Sequence, residues 1–320
     1  MIGTNINSAA DFLKNGDLVA IPTETVYGLA ANAFDESAVL KIYKTKNRPQ
    51  FNPLILHSDS LKKFKSWGIE LPEIALKLAK EFSPGPLTFV VKSNNKIPQI
   101  VTAGNDSVAI RIPNHRMTLD LLQSLDFPLA APSANPSEYI SPTTAKHVDE
   151  MLGDKINYIL DGGDCQIGLE STIISFLNES PEILRYGGLA IEKIENCIGK
   201  KLRSTFENNS HSKNVIAPGM LSKHYSPKHP LLICTIEDEL KKYNANNCAI
   251  ISFKNKNHSV PESQHFVLSE TGNLDEAAKN LFAALRSADK LNVDIILTEL
   301  FPNTGLGFAI NDRLARAASG

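Results

Sequence analysis

The sequence predicts an α/β protein of two domains, and three observations carry that expectation. Short apolar runs rich in valine and isoleucine alternate with stretches whose apolar residues recur at the helical period, the pattern of a sheet covered by helices. The chain has 320 residues, long for one core and better suited to a large unit with a smaller one. From about residue 200 to 230 the composition turns polar and is interrupted by Pro218, Gly219, Pro227 and Pro230, as in a linker. The expected division is 1–200, a linker over 201–229, and 230–320.

In the first unit, strands are expected at 18–22, 54–57, 87–92, 108–112, 158–160 and 172–176, each a short apolar run bounded by turn residues. A helix is expected over 35–44 with Asp35 as its N-cap, and another over 143–152, approached through Ser141 and Pro142. After the linker, strands are expected at 231–234, 249–252 and 294–298, with a helix around 274–288. In that helix Leu274, Ala277, Ala278, Leu281, Phe282 and Leu285 form one apolar stripe facing a sheet. The result is a small Rossmann-like domain, but without a GxGxxG loop, so dinucleotide binding is not expected there.

Bulk properties narrow the function. Hydrophobic residues make up 42% and charged residues 21% of the chain, an ordinary globular composition. A net charge of -2 gives no overall attraction to nucleic acid, so RNA contact would need a local basic patch. Cys165, Cys197, Cys234 and Cys248 have none of the spacings of a zinc site and read as free thiols. The first residues lack a secretory pattern and no apolar run is long enough to span a bilayer, so a cytoplasmic location with no membrane association is expected.

Polar clusters stand at the ends of the apolar strands, where side chains reach crevices instead of core. Thr23, Glu24 and Thr25 put hydroxyls and a carboxylate directly after a strand, followed by the small residues Gly28 and Ala30; this suits either a ligand site or a locally capped turn. Lys44, Lys46 and Arg48 crowd cations ahead of Pro49, as a polyphosphate clamp would or as an ordinary basic helix C-terminus would. His57 ends a strand, as a ligand or as a structural imidazole. Arg111 sits inside an apolar alternation and needs an anion, from the protein or from a substrate. Ser133, Asn135, Ser141 and Thr143 offer hydroxyl and amide groups near a helix start, a phosphate or ribose site or simply a cap. Arg185 is an isolated cation after another apolar run. No P-loop, GxSxG elbow or HExxH pair is present.

Taken in order, PTETVYGLAANA (22–33), KNRPQFNPLILH (46–57), SPGPLTFVV (83–91), VAIRIPNH (108–115), APSAN (131–135) with SPT (141–143), GLESTII (168–174) and LRYG (184–187) resemble the YrdC domain motif for motif. APGMLSKHYSP (217–227) and GLGFAINDRLARAA (305–318) resemble the linker and terminal helix of the long Sua5 subtype, so the resemblance to the Sua5/YrdC family covers nearly the whole chain. It implies a twisted mixed sheet with a deep cleft, and L-threonylcarbamoyladenylate synthesis from L-threonine, bicarbonate and ATP with release of pyrophosphate. ATP would carry Mg2+, with no metal site of the protein's own.

Carried over by position, Thr25, His57, Arg111, the backbone at Ala131 and Ser171 correspond to the threonine site. Arg48, Asn52, Ser107, Ser133, Ser141 and Arg185 correspond to the ATP site, with Lys46 beside it and Tyr225 folding back over the nucleotide. Lys46 and Arg48 are the expected catalytic cations. The product would serve the downstream tRNA threonylcarbamoyl-transferase machinery that forms t6A in ANN-decoding tRNAs, with weak direct tRNA binding. Rival readings are a double-stranded RNA or tRNA-binding module and a carbamoyl-transfer protein. Two departures from the family pattern stand out: Glu138 adds negative charge beside the nucleotide site, and Leu221, Ser222 and Lys223 replace a more basic stretch.

Overall fold

The computed structural model describes residues 1–204, 215–219, 224–257 and 259–319. Leu221, Ser222 and Lys223, and much of the expected linker, therefore lie outside the described residues. The first part of the chain builds one mixed sheet from β1 (Ile2–Gly3), β2 (Val19–Ile21), β3 (Gly28–Asn32), β4 (Ile55–His57), β5 (Leu87–Lys92), β6 (Ser107–Arg111), β7 (Leu129–Ala130), β8 (Tyr158–Leu160), β9 (Thr172–Ser175), β10 (Glu182–Arg185) and β11 (Arg203–Ser204). Their spatial order is β1-β8-β2-β3-β7-β4-β6-β5-β9-β10-β11. The last of these strands falls inside the stretch read as linker and pairs with β10.

Around this sheet run α1 (Ile6–Lys14), α2 (Glu36–Lys46), α3 (Leu61–Ser66), α4 (Glu73–Phe82), α5 (Gln99–Thr102), α6 (Arg116–Gln123), α7 (Ala145–Leu152) and α8 (Ile191–Ile198). The expected cap at Asp35 is present: its carboxylate accepts from the N–H groups of Ser37 and Ala38. Helix α2 then continues two residues past the expected end and stops where Asn47 turns left-handed, at φ 52°. Helix α7 starts later than expected, because the Thr144 hydroxyl, accepting from the His147 N–H, makes Thr144 the cap.

Side chains alternate across the strands, so β4 and β6 each present two faces. Leu56 and Ile110 join the main helix-covered core, whereas Ile55 and Ala109 face the other way, with Val90, Ile173, Leu184 and the linker's Ala217. Burial on both faces explains why these strands read as continuous apolar runs. The parallel register pairs Ile55 with Ala109 and His57 with Arg111. His57 and Arg111 therefore continue the second face, side by side.

The second sheet is smaller and wholly parallel: β12 (Leu231–Ile233), β13 (Cys248–Ser252), β14 (His265–Val267) and β15 (Ile295–Thr298), ordered β12-β15-β13-β14. It is accompanied by α9 (Ile236–Glu239), α10 (Leu274–Asp289) and α11 (Gly307–Ala317). The α10 stripe is buried as expected. Its core does not stop at the domain edge, since Val26, Ile140 and Leu169 of the first domain and Tyr225 of the linker pack into it. Gly168 adopts φ +78°, and a Cβ there would come within 2.5 Å of the Lys279 carbonyl oxygen in α10. Only a residue without a side chain fits such an approach.

Candidate active site

The second face of the large sheet ends in a cavity of about 50 Å³, lined by residues that include Arg48, His57, Arg111, Ala131, Ser133, Ser171, Arg185 and Tyr225. These come from separate segments brought together by the sheet. Thr23, Gly28, Glu170, Pro218, Gly219 and His224 complete much of the wall. Thr25, Lys46, Asn52, Ser107 and Ser141 are buried but are not among the lining residues, and Ser107 stands at the opposite end of β6 from Arg111.

Arg48 leaves the end of α2 and is fixed by residues just beyond it. Its Nε donates to the Asn52 carbonyl at 3.0 Å, while Nη2 donates to Asn52 Oδ1 at 2.6 Å and to the Pro53 carbonyl at 2.8 Å. Asn52 thus aims the guanidinium. Lys46 donates to the Ser133 carbonyl at 2.6 Å and to the Asn135 carbonyl, tying the helix end to the 131–135 loop. That loop is also held by β3, with Leu29 N–H donating to Pro132 and Ala134 N–H to Tyr27. The Ala131 N–H is spent on Ile55, at 3.0 Å.

Arg111 has its anion: Glu24 lies 2.9 Å away, both side chains nearly inaccessible. Of the two anions the sequence leaves open, the protein itself supplies one. Thr25 and Thr23 share a hydroxyl hydrogen bond of 2.8 Å, and Thr23 also donates to the Val26 carbonyl, so the turn is capped as well as facing the cavity. Ser171 hydrogen-bonds with Thr88 at 2.7 Å. A bulge in the β9–β10 ladder between Ile183 and Arg185 re-aims the strand end. Arg185 accordingly reaches the Ser171 carbonyl at 2.9 Å and the Pro218 carbonyl at 3.3 Å, bridging sheet and linker.

Ser141 does not present its hydroxyl to the cavity. It donates to Glu170 at 2.6 Å. The other carboxylate oxygen of Glu170 accepts from Arg313 of α11 at 2.9 Å, and the guanidinium of Arg313 lies 5.1 Å over the ring of Tyr225. Tyr225 itself sits at φ 63°, is 1% exposed and stacks on Phe282 at 5.4 Å. Neither Glu170 nor Arg313 was singled out from sequence. Both carried a signal, a charge inside an apolar pattern: Glu170 leads into β9, and Arg313 falls on the buried stripe of Ala309, Ile310, Leu314 and Ala317.

Burial governs the protonation of this site. It pushes the His57 imidazole down to about 3, reinforced by Arg111, and the His224 imidazole likewise to about 3; both rings are neutral at pH 7. Burial and the neighbouring Arg48 lower Lys46 well below the ordinary lysine value, and burial lowers Arg48 to about 10. Glu170 goes against its burial, which favours the neutral acid: Arg313, Arg185 and the Ser141 hydroxyl prevail and hold the carboxyl down at about 2. With Glu24 matched to Arg111 and Glu170 to Arg313, the lining guanidiniums Arg48 and Arg185 leave the cleft positive. A polyanion is the complementary ligand.

Fold and site together define an α/β protein with a buried, cation-lined cleft assembled from strand ends, with Pro218, Gly219, His224 and Tyr225 in its wall. Two family models account for nearly all of the chain: one described as telomere recombination (Sua5, YciO and YrdC) matches residues 11–187, and the threonylcarbamoyl-AMP synthase C-terminal domain matches 189–319. The threonylcarbamoyl-AMP synthase of Pyrococcus abyssi is 41% identical over 98% of this chain and 94% of its own. That of Bacillus subtilis is 40% identical over 98% and 93%. Among solved structures, P. abyssi Sua5 complexed with L-threonine superposes with a TM-score of 0.91 at 40% identity, covering 98% of this chain and 94% of that one. Escherichia coli YciO, 21% identical with a TM-score of 0.53 over 58% of this chain and 93% of its own, shares the fold. The chain belongs to the Sua5/YrdC family, in its long form with the Sua5 C-terminal domain, and is a threonylcarbamoyl-AMP synthase by activity. It is an enzyme, not solely an RNA-binding module. No described helix is long and apolar enough to cross a membrane.

Proposed function

We propose that the cavity forms threonylcarbamoyl-AMP from L-threonine, bicarbonate and ATP by positioning and charge neutralisation, without a covalent enzyme intermediate. The observation that carries this reading is that the guanidiniums of Arg48 and Arg185 line one buried cleft whose carboxylates are already paired, with Lys46 buried close to Arg48. Thr25, His57, Arg111, the backbone at Ala131 and Ser171 form the threonine end. Arg48, Asn52, Ser107, Ser133, Ser141 and Arg185 form the nucleotide end, in which Asn52 and Ser141 act through Arg48 and Glu170. Mg2+ enters with ATP on its phosphate oxygens: Glu170, the carboxylate among the described lining residues, is committed to Arg313 and Ser141.

The threonine amine forms an N–C bond to CO2 with loss of a proton, or to bicarbonate with loss of water, giving a carbamate. A carbamate oxygen then attacks the α-phosphorus, the bond to the bridging oxygen breaks, and pyrophosphate leaves with its negative charge met by Lys46, Arg48 and Arg185. Because carbamate and mixed anhydride both perish in water, turnover needs a closed site. Pro218, Gly219, His224 and Tyr225 of the linker stand in the cavity wall, which fits a lid carrying Tyr225 that moves to admit the nucleotide. The activated acyl product suits transfer to an amine, here by the downstream tRNA threonylcarbamoyl-transferase machinery that forms t6A.

Mass spectrometry of a reaction with threonine, bicarbonate and MgATP tests the reading. Threonylcarbamoyl-AMP is expected from the wild type and is lost in folded Arg48→Ala; full activity of that variant would remove the phosphate clamp. Serine should give weak residual product and valine little, since a missing methyl is worth about 1–3 kcal/mol whereas an unmet hydroxyl site rejects more strongly. Comparable adenylate from valine would contradict the assignment of the threonine end. Tight tRNA binding with no pyrophosphate release would instead favour an RNA-binding role.

A further inference from the structure

Arg313 is the largest side chain in the described molecule that is fully buried, and it comes from the second domain. It does not line the cavity. It touches two residues that do: its Nε donates to Glu170 at 2.9 Å, and its guanidinium covers the ring of Tyr225 at 5.1 Å. Asp312 fixes it from behind, accepting from Nη1 at 2.6 Å. On the first-domain side, Glu170 is held at its other oxygen by Ser141. Tyr225 is held on its far side by Phe282 of α10 and keeps a left-handed backbone, a conformation that a bulky residue adopts only when its surroundings impose it.

Two consequences follow for a nucleotide in this cleft. Glu170 is a buried carboxylate beside Arg185, where an unpaired negative charge would repel phosphate; Arg313 cancels it. On the lid reading above, Tyr225 moves as ATP enters and comes back as the site closes, and the cation against its ring, 5.1 Å from the centroid, defines where it returns. We propose that Arg313 is a positioning residue for adenylate formation, by which the second domain neutralises Glu170 and seats Tyr225 over the nucleotide. This rests on the functional reading above and gives the second domain a defined task in catalysis.

The test is a double-mutant cycle in the full-length enzyme with Arg313→Gln, Glu170→Gln and the pair, together with Arg313→Lys. KM for ATP and kcat are read from pyrophosphate release, threonine affinity from calorimetry, and fold from thermal melting. Arg313→Gln should raise KM for ATP about tenfold or more, the effect expected when a buried charge loses its partner, while threonine affinity stays within about twofold. Adding Glu170→Gln should recover part of that loss, because the orphaned carboxylate is gone; a purely structural role would not give recovery. Arg313→Lys keeps the charge but not the planar contact, and should raise KM for ATP several-fold in an enzyme that still melts cooperatively; it decides the matter if Arg313→Gln does not fold. Unchanged KM for ATP in Arg313→Lys or folded Arg313→Gln, equal loss of ATP and threonine binding, or additive losses in the pair would each overturn the proposal. A wild-type enzyme that forms no threonylcarbamoyl-AMP would overturn the functional reading instead.

Discussion

Several ionisable side chains in this protein are placed where burial makes a charge costly. His57 and His224 show what that does to stability. Their folded values near 3 lie below the ordinary 6.5, so above pH 6.5 both folded and unfolded chains carry neutral rings and nothing depends on pH. As pH falls from 6.5 toward 3, the unfolded chain takes up protons that the folded chain refuses, and stability drops by up to about 1.4 kcal/mol per pH unit for each ring. Glu170, held below its ordinary value, adds loss in the same direction as pH falls below 4.5. The melting temperature should therefore decline from pH 6.5 to 4, less steeply in His57→Asn; a flat profile would contradict buried neutral imidazoles. Lys46 offers a second measurement. Lys46→Met leaves the Ser133 and Asn135 carbonyls without their donor and should cost about 1–3 kcal/mol along with adenylate formation, read by melting and by pyrophosphate release.

At the scale of elements, the sequence was most legible where the physics is local. The apolar runs 87–92 and 158–160 are the strands β5 and β8 residue for residue, and the Asp35 cap needed only its own neighbours. Strand β3 escaped notice because Gly28–Asn32 is made of small residues whose burial comes from β2 and β7 alongside it. Two-residue strands such as β1, β7 and β11 have no periodicity to read; their pairing partners create them. The pairing of Arg111 could be stated as a need but not assigned to Glu24, and the bond between Glu170 and Arg313 spans 143 positions, beyond any pattern of spacing. Replacing the capping Asp35 by alanine should cost about 1 kcal/mol and lower the melting temperature slightly without changing KM values. Gly168→Val is a harsher test, since it combines strained backbone with a collision against Lys279. It should loosen α10 from the first domain, seen as faster amide exchange along that helix, and equal exchange would argue against the close approach.

Across the whole molecule, the two sheets are joined by contacts that converge on one side of the cleft. Arg286 donates to the carbonyls of Ile140 and Ser141 and packs over Tyr139 at 5.3 Å. Asp289 accepts from the Tyr139 hydroxyl at 2.7 Å and from the N–H groups of Lys228 and His229 at 2.6 and 3.1 Å. With Val26, Ile140, Leu169 and Tyr225 sharing the second domain's core, neither unit can unfold without exposing apolar surface on the other. One calorimetric transition is the expected result; two well-separated transitions would show that the interface contributes little.

Among the described residues, the strands that terminate the two sheets are all short. The large sheet ends on Ile2–Gly3 and Arg203–Ser204, and the small one on Leu231–Ile233 and His265–Val267. Within the described residues each offers only a few backbone groups for another chain to pair with, so the edges described for the eleven-stranded sheet present little template for edge-to-edge growth. The broad platform that shapes the cleft thereby comes with built-in resistance to aggregation.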